Sequence, residues 1–264
     1  MNNGKISDFM QNIEKIHTFI KGISNKEKNV VIYQPHRSLP DFLCKFKIKV
    51  GIDNCKEIIL QEETRLELGG VTKKSFSLVY PISELKSLNY INDRRITLIG
   101  PEIREISTSS IDFGMFILIG GKNISENDWA SLRQFNFISS GIEGFSIRSV
   151  PRRFWCRINS KVIQNDFSFE FLGNAIFYLY THKFKNLIEK IEIIFIVSYP
   201  DVIDQFIETT SEIFSYLNTK WKNKIDDWKK RVDCDYDWAC DLCPYREECY
   251  NVKQVLSERE RIGN

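Results

Sequence analysis

Apolar residues recur over the first 24 positions at helical spacing. Ile6, Phe9, Met10, Ile13, Ile16, Ile20 and Ile23 fall on one stripe, which predicts an amphipathic helix ending near Gly22 to Asn25. Val30 to Tyr33 then reads as a strand. Residues 44–52 and 56–68 read as two more, with alternation at Phe46, Ile48 and Val50 and a turn from Gly51 to Asn54. Strands follow at Ser75 to Tyr80, Arg95 to Ile99 and Phe113 to Ile119, punctuated by Gly69-Gly70, Gly100-Pro101 and Gly120-Gly121. Ser125 ahead of Glu126 and Asp128 predicts a helix start, with Trp129, Leu132, Phe135 and Ile138 along one face. Arg153 to Ile158 reads as a strand, the stretch with Leu172, Ala175, Ile176 and Leu179 as a helix, and the continuous apolar run Ile191 to Val197 as a central strand covered on both faces. That order predicts a βαβ-like unit. From Pro200 a stripe of Ile203, Phe206, Ile207, Phe214, Leu217, Trp221, Ile225 and Trp228 predicts one long helix to about Arg231, packed against the core. The fold class is therefore α+β, with a mixed, mainly antiparallel sheet, packed helices and a small Cys-rich C-terminal lobe. Residues 1–232 form the α+β domain and 233–264 the lobe.

Composition removes several classes of function. The 264 residues carry a formal charge of only +2, which gives no electrostatic case for a nucleic-acid partner. No apolar run approaches the roughly 20 residues that span a bilayer, and the charged N-terminal stretch has no signal-peptide core. No membrane partner is expected, and the predicted location is the cytoplasm.

The cysteines change the picture most. Of seven in the chain, Cys234, Cys240, Cys243 and Cys249 lie within sixteen residues, spaced Cys-x5-Cys-x2-Cys-x5-Cys. Thiolates are soft donors, and four of them can close around one metal centre. A four-cysteine iron–sulfur cluster and a structural zinc both satisfy this spacing, and disulfides or free thiols are the alternative to either. Six acids and one base lie from Asp233 to Cys249; such a surplus of negative charge opposes reduction of an anionic cluster and predicts a low potential. Cys44, Cys55 and Cys156 have no partner spacing and read as buried free thiols. His17, His36 and His182 form no ligand pair, and Asp93 reads as a lone surface acid. By alternation, Arg153, Trp155 and Arg157 share one strand face, with Cys156 on the other. Guanidiniums on such a face can hold phosphates while an indole stacks on an adenine; a solvated edge strand with a partly buried Trp fits the same pattern.

Several of these segments, in a fixed order, resemble the acetyl-CoA synthase family, the beta-type subunit of the CO dehydrogenase/acetyl-CoA synthase complex. The resemblance begins at about residue 60 and runs to about residue 250. Its carriers are Glu67-Leu68-Gly69-Gly70, Arg95 to Ile103 with its Ile99-Gly100-Pro101-Glu102-Ile103 ending, Leu132 to Gly144, Trp155-Cys156-Arg157-Ile158-Asn159, Phe167 to Val197, and Cys240-x2-Cys243. The family's middle domain is associated with coenzyme A, and arginines around the tryptophan that Trp155 resembles are linked to that binding. Trp155 and Arg157 match position by position; Arg152 and Arg153 are shifted. The resemblance also tips the four cysteines toward a [4Fe-4S] cluster over zinc. The family's Cys-Gly-Cys, which holds its outer nickel, is absent from these residues, so its dinickel chemistry is not carried over. What the resemblance implies is an iron–sulfur protein of anaerobic metabolism with a redox or acyl-carrying protein partner. It would act in electron transfer or in acyl- or carbonyl-transferring chemistry, with coenzyme A as a candidate ligand. The rival expectation is a non-catalytic protein-binding module pinned by a zinc or cluster knot.

Overall fold

In a computed structural model, the chain is described over residues 3–24, 29–51, 58–70, 72–83, 87–150, 153–213, 215, 219 and 250. It divides into two compact units, Met1–Thr209 and Thr210–Asn264. The first unit holds, in order, α1 (Asn3–Ser24), β1 (Val30–Tyr33), α2 (Leu39–Leu43), β2 (Thr64–Gly69), β3 (Ser75–Ile82), β4 (Arg95–Ile99), β5 (Ser110–Ile111) and β6 (Phe113–Gly120). Then come α3 (Glu126–Leu132), α4 (Asn136–Ser139), β7 (Phe145–Val150), β8 (Arg153–Asn159), α5 (Ser160–Ile163), α6 (Phe169–Lys183), β9 (Lys190–Val197) and α7 (Pro200–Thr209).

The strands make two mixed sheets, so the class is α+β. The larger sheet has the order β1-β4-β9-β6-β3 and the smaller β5-β2-β8-β7. Antiparallel pairs outnumber parallel ones among the described residues: β1 with β4, β6 with β9, β2 with β8 and β7 with β8, against three parallel pairs. β9 is the central strand of the larger sheet, as its apolar run predicts. Its Ile191, Ile193, Phe195 and Val197 enter the main core, which also takes Ile96 and Leu98 of β4, Met115 and Ile117 of β6, and Leu172 and Ile176 of α6. Gly173 of α6 lets helix and sheet meet closely, because a Cβ there would come within 2.5 Å of Ile96 Cδ1. The smaller sheet turns Leu66, Leu68, Phe154, Cys156 and Ile158 into the same core. Phe113 joins these layers, with ring centroids 6.0–6.3 Å from Phe154, Phe169 and Phe195.

The other face of the larger sheet is covered by α1 and α7. Ile13, Ile16, Ile20 and Ile23 of α1 are buried, the stripe that the helical spacing predicts. Phe206 of α7 meets Phe19 of α1, Phe76 of β3 and Phe116 of β6.

Several expectations are corrected. β8 and β9 lie in different sheets, so strand 153–159, α6 and strand 190–197 are not a βαβ crossover; α6 leads from one sheet to the other. Residues 44–48 form turns and bends, with Val50 in a single bridge to Ile142: the alternating Phe46 and Ile48 pack inward without a strand to pair with. Residues 58–63 are not a strand either, and 52–57 lie outside the described residues. The helix predicted around Trp129 to Ile138 is two short helices, α3 and α4. α7 ends at Thr209 with a turn at Thr210, residues 211–213, 215 and 219 are again helical, and most of the stripe beyond lies outside the described residues, as does the 232/233 boundary. Among the described residues no helix is long and apolar enough to cross a membrane.

Candidate functional site

β8 carries the arginine–tryptophan segment, and it is an inner strand, paired to β2 on one side and β7 on the other. The expectation of a solvated edge strand is thereby corrected. The pleat sends alternate residues to opposite faces. Phe154, Cys156 and Ile158 are buried, and Trp155 and Arg157, half-buried, face the other way. Arg153 is placed by its pairing with Val150; its side chain, and Arg152, lie outside the described residues.

Arg157 is held by its neighbours. Its Nε donates to Glu67 Oε1 at 3.3 Å, and its Nη1 donates to the Ile59 carbonyl at 3.3 Å. Arg157 and Glu67 are directly opposed across the β2–β8 ladder, so register makes the pair. Both side chains keep a quarter or more of their surface in solvent, and such pairs contribute about 0–1 kcal/mol. The pair orients the guanidinium more than it stabilises the fold.

Cys234, Cys240, Cys243 and Cys249 lie outside the described residues, as does Cys55. Cys156 is a buried free thiol, and burial pushes its pKa well up. Cys44 is exposed, against the expectation of burial: it caps the short helix α2 at the surface. Among the described residues no three His, Cys, Asp or Glu side chains gather as metal ligands.

A second polar cluster escapes sequence reasoning. Glu192 of β9 is fully buried. Arg95 of β4 donates to its Oε1 through Nε at 3.0 Å and Nη2 at 2.6 Å. The Asn92 backbone N–H and Nδ2 donate to Oε2 at 2.9 and 3.2 Å, and His17 Nε2 of α1 lies 3.2 Å from the same oxygen. Burial alone would raise the carboxyl pKa. The His17 hydrogen bond and charge, the Arg95 charge and the Asn92 N–H outweigh it and hold the pKa below the usual value. The available signal was one acid inside an otherwise apolar strand. Asp93, read as lone, accepts from the Ile191 N–H at 3.3 Å and lies 3.5 Å from Arg94 Nε.

Glu102 is a cap for two elements. Its Oε1 accepts from the Ile103 N–H, opening a 3-10 turn, and from the Phe169 N–H at the start of α6. Its Oε2 accepts from Tyr33 Oη at 2.6 Å. Burial, then this bond and the charge of Glu102, raise the Tyr33 pKa. His36 pairs with Glu170 on the first turn of α6 at 3.1 Å.

These elements carry the segments of the resemblance in order: Glu67 to Gly69 closes β2, Arg95 to Ile103 spans β4 and the turn after it, and Trp155 to Asn159 lies in β8. The family description "CO dehydrogenase/acetyl-CoA synthase complex beta subunit" matches residues 46–202. The chain belongs to this family. Among proteins similar to it, acetyl-CoA decarbonylase/synthase complex subunit beta of Methanopyrus kandleri is 23% identical over 155 residues, 58% of this chain and 32% of that protein. Subunit beta 1 of the same complex from Methanosarcina acetivorans is 27% identical over 191 residues, 71% of this chain and 38% of its own length. The Archaeoglobus fulgidus subunit beta is 26% identical over 192 residues, 71% and 34% respectively. The chain thus spans about a third of the length of these relatives. Within the acetyl-CoA synthase beta family match lie β2 to β9; α1, β1 and α2 precede it, and the four clustered cysteines follow it.

Proposed function

We propose that this chain is an iron–sulfur member of the acetyl-CoA synthase beta family, acting with a protein partner in electron transfer or in acyl- or thiol-linked group chemistry. Cys234, Cys240, Cys243 and Cys249 would hold a [4Fe-4S] cluster, and the face of Arg153, Trp155 and Arg157 would bind coenzyme A. The observation that carries the reading is the four-cysteine block at 234–249, which lies beyond the family match at residues 46–202. The donor set suits a cubane, since four soft anionic sulfurs satisfy its four irons. When bound, such a cluster supplies a site for one electron. The chain's own residues do the rest: Trp155 offers an aromatic surface, Glu67 fixes the Arg157 guanidinium, and the core behind β8 keeps that face rigid. The names of the relatives describe subunits of a complex, which supports a protein partner here. Seven cysteines, an odd number with four bunched together, suit a reducing cytoplasm and a metal better than a disulfide framework.

The fixed Arg157 also favours a second reading. A guanidinium already spanning Glu67 and the Ile59 carbonyl suits a non-catalytic docking module, with zinc or a cluster pinning the cysteine-rich lobe of residues 233–264. Metal and sulfide analysis of protein purified without air separates the first reading from the zinc form of the second. The first reading expects about four iron and four sulfide per chain, the content of a cubane; one zinc without sulfide would overturn it.

A further inference from the structure

The alternation after α2 serves no strand, and its charged half is left in solvent. Lys45, Lys47 and Lys49 are exposed. Between them Phe46 and Ile48 turn inward. The Phe46 ring centroid lies 4.8 Å from that of Phe171 on α6 and 5.1 Å from that of Phe42 on α2, and Ile48 enters the main core. The end of the segment is tied to residues 141–143. The Gly51 N–H donates to the Gly141 carbonyl at 2.9 Å, the Glu143 N–H to the Lys49 carbonyl at 3.0 Å, and the Lys49 N–H to Glu143 Oε2 at 2.9 Å. Three ammonium groups therefore stand on a backbone that is already fixed, so a partner does not have to order it.

Charge is concentrated at this turn. Its three lysines carry more positive charge than the formal +2 of the whole chain. The exposed side of α7, which covers the opposite face of the larger sheet, carries Asp201, Asp204 and Glu208 instead. Such a separation orients an approaching partner of opposite sign. Three lysines fall short of the roughly four to eight in a polybasic membrane segment, and the small net charge gives little field for a nucleic acid. Lysine is a hydrated point charge without the arginine fork, suited to steering and brief docking rather than to a tight bidentate contact. We infer that the turn bearing Lys45, Lys47 and Lys49 is the docking surface for an acidic protein partner that associates transiently through its carboxylates. The inference rests on the protein-partner reading above and does not depend on which metal the cysteines hold.

Fluorescence anisotropy of a labelled deca-glutamate peptide, added to the full chain, tests it. The unaltered protein is set beside the triple variant Lys45→Ala, Lys47→Ala, Lys49→Ala. A control triple variant, Lys122→Ala, Lys183→Ala, Lys185→Ala, removes the same charge elsewhere. At about 0.1 M salt the first variant is expected to bind roughly tenfold more weakly than the unaltered protein, through the loss of three exposed ion pairs, and the control almost as well as the unaltered protein. At about 1 M salt the difference should vanish. All six lysines are exposed, so melting followed by circular dichroism should be unchanged. Equal losses in the two variants, or a loss that persists at high salt, overturn the docking surface. Tighter binding of a ten-nucleotide oligothymidylate than of the peptide, or no peptide binding by the unaltered protein, overturns it as well. Crosslinking in the cells that make the chain, with no protein attached to it, would overturn the partner reading itself.

Discussion

Replacing Glu192 by Gln removes the charge at the centre of the buried cluster. The carboxylate is fully buried, while Arg95 keeps 25% and His17 17% of its side-chain surface exposed. Two hydrogen bonds from Arg95, at 3.0 and 2.6 Å, lose their charge assistance. The new amide NH2 takes the place of one carboxylate oxygen and so turns a donor toward either the Arg95 guanidinium on the Oε1 side or the Asn92 N–H groups on the Oε2 side. Breaking one side of a buried ion pair costs about 3–5 kcal/mol. For a unit of this size each kcal/mol moves the melting temperature by about 2–4 °C, so the variant should melt roughly 6–20 °C lower. The pH dependence has a definite sign. The folded carboxyl pKa lies below its ordinary value of 4.5, so near and below that pH the unfolded chain binds the extra proton. Stability from Glu192 is fully present above pH 4.5 and is lost as pH falls through the folded pKa. The gap between the unaltered protein and Glu192→Gln, measured by urea unfolding followed by circular dichroism, should therefore shrink on acidification below pH 4.5. A loss under about 1 kcal/mol at neutral pH, or a gap independent of pH, would refute the assignment of Glu192 as a buried charged hub.

Glu102→Ala should cost about 1–2 kcal/mol, the usual effect of losing a helix cap, and should lower the Tyr33 pKa seen in its ultraviolet titration; an unmoved Tyr33 would contradict the Oη–Oε2 bond. Cys44 is exposed and Cys156 buried with its pKa raised. A thiol reagent should accordingly label Cys44 in the folded protein and Cys156 only after denaturation, with mass spectrometry of peptides as the readout; early labelling of Cys156 would mean that the core behind β8 opens.

Sequence pattern carries furthest where one element settles its own environment. β3, β4, β6 and β9 are dense apolar runs, and α1 shows an unbroken helical stripe. Short elements defined by their neighbours were not legible. β7 is Phe-Ser-Ile-Arg-Ser-Val, and what makes it a strand is the edge of β8 and the left-handed turn at Gly144, φ +68°. The reverse error occurs at Phe46 and Ile48, where alternation exists but no strand lies alongside. Sites assembled from distant positions fail for the same reason. Nothing local to His17, Asn92, Arg95 or Glu192 says that they meet. Cys156 was placed on the correct face by alternation alone, because the pleat is a local property.

The proposed inorganic centre would be held by the sulfurs of Cys234, Cys240, Cys243 and Cys249. Electron paramagnetic resonance of anaerobically purified and reduced protein, set beside the Cys243→Ser variant, tests it most directly. The expected result is the signal of a reduced cubane cluster in the unaltered chain, appearing only with a strongly reducing donor because six acids lie in sequence from Asp233 to Cys249, and its loss or marked change in Cys243→Ser. A silent spectrum from protein that carries zinc, or an identical signal from both proteins, would contradict it.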